Sequence, residues 1–139
     1  MNAPLYTTEI LRFAASLSDP RELERVDGQA ELRSPTCGSR IMTAVQLDDE
    51  GRVAAMSQCV HACAFGQAAS ALAEQGAPGR SRDDVAIALK QLTAWLGGLD
   101  ELPEWSGVAV LAPARARTGR HGAILLPFRA LLAAMDAAR

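Results

Sequence analysis

The sequence predicts an α+β fold, a single domain in which a three-stranded antiparallel sheet is packed by helices. Three short strand-like runs follow one another, the second and third joined by the turn Asp48-Asp49-Glu50-Gly51, and stretches of helical spacing flank them on both sides. The chain's 139 residues, 49% hydrophobic and 22% charged, suit one core and leave little material for a second.

Each element has its own local reason. Thr7 or Thr8 can cap an opening helix whose Ile10, Leu11, Phe13, Ala14 and Leu17 form one apolar stripe, and Asp19-Pro20 ends it. Strands are expected from Gln29 to Arg33, Ile41 to Leu47 and Arg52 to Val60, the last two as a hairpin. After Cys63 the small, helix-favouring run Ala64 to Gln75 stops at Gly76-Ala77-Pro78-Gly79. Ser81-Arg82-Asp83-Asp84 supplies a capped start for a helix through Trp95 and Leu96, broken by Gly97-Gly98. Leu102-Pro103-Glu104-Trp105 reads as loop. A short apolar segment to Leu111, an arginine-rich connection containing Arg115, Arg117 and Arg120, and a last helix from about Ile124 to Ala138 complete the chain. Trp95 and Trp105 are expected to pack the helical layer, and the three arginines to form a solvated loop or a docking surface for an acidic partner.

Composition narrows the function. A net charge of -2, with Lys90 as the only lysine, gives no basic footprint, so nucleic acid is not expected as a partner. The N-terminus lacks a basic segment followed by an apolar one, and no apolar stretch reaches membrane-spanning length. A cytoplasmic protein without membrane contact is expected. Three cysteines, an odd number without an export signal, point to reduced thiols available for metal or sulfur chemistry rather than a disulfide framework.

The chemistry is sought at those thiols. Cys37 sits in Ser34-Pro35-Thr36-Cys37-Gly38, a Pro/Gly turn and an unusual place for a structural thiol, and Cys63 sits where a β-like run gives way to a helix-like one, where peptide dipoles favour an anion. Cys59, His61 and Cys63 share parity, so their side chains project from one face if the strand persists that far. The plainer reading of Cys59 beside Val60 is a strand residue, and of His61 and His121 a partly exposed polar side chain.

Tyr6 and Ile10-Leu11 in an opening helix, the turn around Cys37, Cys63 followed by Gly66-Gln67-Ala68-Ala69-Ser70-Ala71, and the closing segment from Arg120 to Leu131 together resemble the NifU N-terminal (IscU/SufU) family of iron-sulfur cluster scaffolds. The resemblance spans nearly the whole chain. It implies an α+β fold and a non-enzymatic role: assembling a [2Fe-2S] cluster from iron and from sulfide delivered by a cysteine desulfurase, then passing it to acceptor proteins. Cys37 and Cys63 match the first two family cysteines. Ser39 stands where the family carries an aspartate, and Ala123 where it carries a third cysteine. Two thiolates rarely close a tetrahedral iron-sulfur or zinc site, so His121, Cys59 or His61 is expected to complete the set with iron, a cluster or, alternatively, zinc. The same two departures also fit a degenerate paralogue that keeps a protein-interaction or sulfur-acceptor role without cluster assembly.

Overall fold

The computed structural model describes residues 6–35 and 38–138. Its elements run α1 (Thr8–Ala15), β1 (Gly28–Arg33), β2 (Arg40–Leu47), β3 (Val53–His61), α2 (Ala64–Gly76), α3 (Arg82–Leu96), 3-10 turns at Val108–Ala114 and Thr118–Arg120, and α4 (His121–Ala137). The expected α+β architecture is borne out: the strands form one antiparallel sheet in the order β1-β2-β3.

The sheet has one covered face. Ile41, Thr43 and Val45 of β2 pair with Val60, Gln58 and Met56 of β3 and turn inward. α4 covers β1 and β2 while α2 packs against α4, α1 and β3. Pairing slips by one residue between Gln46 and Leu47, so Val53 and Met56, three apart, both face the core. Gly28 is required where β1 meets the end of α4, because a Cβ there would collide with the carbonyl oxygen of Ala134.

Capping fixes the helix starts. Thr7 Oγ1 accepts from the Ile10 N–H at 3.1 Å, while Ser81 and Asp84 form a reciprocal capping box. α1 stops at Ala15, two residues before the expected Leu17, as the Ser16 hydroxyl donates to the Phe13 carbonyl at 2.7 Å. Both tryptophans are buried as anticipated: Trp105 donates through Nε1 to the Leu72 carbonyl at 2.7 Å and meets Phe128 edge-on. Arg115 is not a free loop cation, since it stacks over Trp95 and donates to the Trp95 and Leu99 carbonyls. Arg117 is exposed.

Candidate functional site

The switch from strand to helix positions Cys63. β3 ends at His61, Ala62 turns the chain, and Cys63 is the N-cap of α2, with extended backbone (φ -67°, ψ 174°) and its carbonyl accepting from the Gln67 N–H at 2.9 Å. Its side chain makes no capping bond. Beside it opens a cleft of about 430 Å³ lined by Gly38, Ser39, Val60, His61, Ala62, Cys63 and Gln67.

The opposite wall comes from the turn between β1 and β2. Ser34 N–H donates to the Ser39 carbonyl at 2.9 Å and Gly38 N–H to the Ser34 carbonyl at 3.2 Å, with Gly38 left-handed at φ 71°. Cys37 lies outside the described residues, but its neighbours Gly38 and Ser39 both reach the cleft. Ser39, at the family's aspartate position, is buried there.

The other expected ligands separate. His61 lines the cleft with Cys63; Cys59 does not, although its sulfur lies 3.9 Å from His61 Nε2. The shared parity of Cys59 and His61 therefore holds, and the turn at Ala62 ends it before Cys63. His121 opens α4 after a 3-10 turn rather than an extended approach, and its Nε2–H points at the carbonyls of Ala114 (2.9 Å) and Arg115 (3.1 Å). It is absent from the cleft lining, with that nitrogen committed to backbone. Among the described residues, no three histidine, cysteine, aspartate or glutamate side chains gather as a metal cage.

Ala123 is fully buried behind the cleft. A Cβ built on Gly66 would lie 2.6 Å from the Ala62 Cβ and 3.4 Å from that of Ala123, so the two alanines pinch the first turn of α2 from either side. Pro127, four residues on, has no N–H to give to the Ala123 carbonyl, which itself faces Gly66. Gln67 is a cleft residue that the motif reading did not single out; its spacing of four from Cys63 was the available signal, since such pairs share a helix face.

No family model and no curated protein sequence matches the chain. Solved structures do. The N-terminal part of a nitrogen-fixing NifU-like protein from Brucella abortus superposes with a TM-score of 0.86 at 26% identity, over 96% of this chain and 94% of that one. An iron-sulfur cluster assembly scaffold protein for the SUF system from Fervidobacterium islandicum gives 0.81 at 16% identity, over 94% of this chain and 96% of its own. A hypothetical protein gives 0.70 at 20% identity, over 92% of this chain and 96% of its own. The resemblance first carried by the cysteine motifs thus holds in three dimensions: over nearly its whole length the chain is similar to the NifU N-terminal and SufU scaffold proteins.

Proposed function

We propose that the chain is a scaffold-like protein that receives iron, an iron-sulfur cluster or zinc at the cleft beside Cys63 and passes it to acceptor proteins. The observation that carries the reading is the pairing of Cys63, capping α2 with an uncommitted side chain, with the Gly38-Ser39 wall of the Cys37 turn across an open cleft. Cys37 and Cys63 are its thiolate ligands, and His61 is the imidazole best placed to join them. The cluster is cargo, with iron and desulfurase-derived sulfur as inputs, so the protein turns over no substrate. A [2Fe-2S] cluster is the form the likeness to scaffolds favours. Cysteine desulfurase and acceptors are its partners, and a reducing compartment such as the cytoplasm suits its thiols. No helix among the described residues is long and apolar enough to cross a membrane.

Ser39 and the buried Ala123 favour a second reading, in which cluster assembly is lost and the chain serves as a docking or sulfur-accepting module with Cys63 as the persulfide carrier. Elemental and acid-labile sulfide analysis of protein purified anaerobically without added metal separates the two. Iron with sulfide, lost in Cys63→Ser, supports the scaffold. No metal, together with desulfurase binding that survives Cys37→Ser and Cys63→Ser, supports the second reading.

A further inference from the structure

The face of the sheet turned away from the helices brings together three soft donors. Cys59 and His61 project from β3 on that side, with Sγ and Nε2 3.9 Å apart. Met42 of β2 is the register partner of Cys59 and is 44% exposed. Directly opposed antiparallel residues hold their Cβ atoms about 4.5–5.5 Å apart on one face, a gap the unbranched thioether of methionine can span. We infer that Met42, Cys59 and His61 form a site for a soft monovalent ion, Cu(I), on the open face of the sheet, sharing only His61 with the cleft of Cys63.

The spacing of the donors allows one shared ion, and their softness selects it. With metal bonds of about 2.3 Å to sulfur and about 2.0 Å to an imidazole nitrogen, a tetrahedral angle sets the two atoms about 3.5 Å apart, a trigonal angle about 3.7 Å and a linear one about 4.3 Å. The observed 3.9 Å is within a few tenths of an ångström of these spacings, so small side-chain rotations bring both donors onto one ion. Thiolate, thioether and imidazole are the donors that favour Cu(I).

Charge points the same way. Arg40 is the register partner of His61, and its guanidinium is 3.8 Å from Glu31, itself the register partner of Met42. Arg33 and Arg40 already share the single carboxylate of Glu31, so a monovalent ion, neutral on one thiolate, suits this face better than a divalent ion, which would add a further positive charge. Binding releases the Cys59 thiol proton to solvent and moves no electron.

The site shares His61 with the proposed cleft ligands but needs neither cleft thiol, so its test removes those thiols first. In the Cys37→Ser/Cys63→Ser protein, anaerobic titration with Cu(I) against a chromophoric Cu(I) chelator is expected to show one equivalent held. Adding Cys59→Ser, Met42→Leu or His61→Ala should each weaken it by at least the roughly 10- to 100-fold seen when a residue that merely supports a ligand is lost, with Cys59→Ser the largest effect. Copper-edge X-ray absorption should show two sulfur scatterers and one nitrogen. All three residues lie on an exposed or half-exposed face, so unchanged thermal midpoints will mark the variants as folded. Failure of the double variant to hold Cu(I), unchanged affinity in Cys59→Ser, or tighter binding of zinc than of Cu(I) would overturn the inference.

Discussion

Gly66→Ala probes the joint on which the cleft depends. The added methyl would sit 2.6 Å from the Ala62 Cβ, about 1 Å inside an ordinary carbon contact, and neither carbon is the tip of a flexible side chain. The backbone must therefore move, separating α2 from the turn that presents Cys63 or pressing it onto Ala123. Overpacking costs about 1–3 kcal/mol, and a 2.6 Å contact between two carbons that cannot swing aside falls in the upper half of that range, about 2–3 kcal/mol; alanine in place of a helical glycine returns about 0.5–1 kcal/mol, leaving a net loss of about 1–2.5 kcal/mol. In a chain of this size that is a fall of roughly 3–10 °C in thermal midpoint. Urea denaturation and calorimetry on Gly66→Ala, Ala62→Gly and the double variant form a mutant cycle in which Ala62→Gly, by removing the opposing methyl, should recover most of the loss. Equal stability of Gly66→Ala and the parent protein, or strictly additive effects in the cycle, would refute the close approach.

Thr43 and Gln58 are buried register partners on the core face, and the Thr43 hydroxyl and Gln58 Oε1 lack hydrogen-bond partners, so Thr43→Val should stabilise the protein by about 1–2 kcal/mol in urea denaturation. The Arg25 guanidinium and then the Leu47 N–H hold the Asp27 carboxyl below its ordinary value. That contribution is complete above the unfolded carboxylate pKa of about 4 and fades as pH falls through the lower folded value, so Asp27→Asn should be less stable than the parent near pH 7 and converge with it once the folded carboxyl is protonated. Ala123→Cys restores a thiol where the family carries one, next to Gly66 and behind Ala62; the yield or lifetime of a reconstituted cluster should rise, and an unchanged yield in a folded variant would show that this position does not serve the cleft.

The hairpin was legible because its turn is self-contained: Asp48 Oδ1 accepts from the N–H groups of Glu50 and Arg52, and Gly51 takes the left-handed conformation. The bulge at the far side of that turn was not legible, since a one-residue slip follows from pairing with β2 and leaves no mark of its own in β3. Val108–Ala114 has the apolar composition of a strand, yet winds into a 3-10 helix after the left-handed Gly107, with Pro113 inside it. α4 begins at His121, ahead of the expected Ile124, because His121 is anchored to carbonyls six and seven residues upstream. The same contact draws its imidazole from the cleft, and no local pattern announces it. Cys63 was readable as a helix start from the change of period alone. What parity could not reveal was that Ala62 turns the chain, so that Cys59 and Cys63 serve different faces.

Anaerobic reconstitution with iron and sulfide, followed by absorbance and Mössbauer spectroscopy, tests most directly whether the cleft holds a cluster. A [2Fe-2S] signature in the parent protein, lost in Cys63→Ser and in Cys37→Ser but retained in Cys59→Ser, is the predicted result. No cluster under conditions in which an established scaffold reconstitutes, or a cluster indifferent to Cys63, would contradict it.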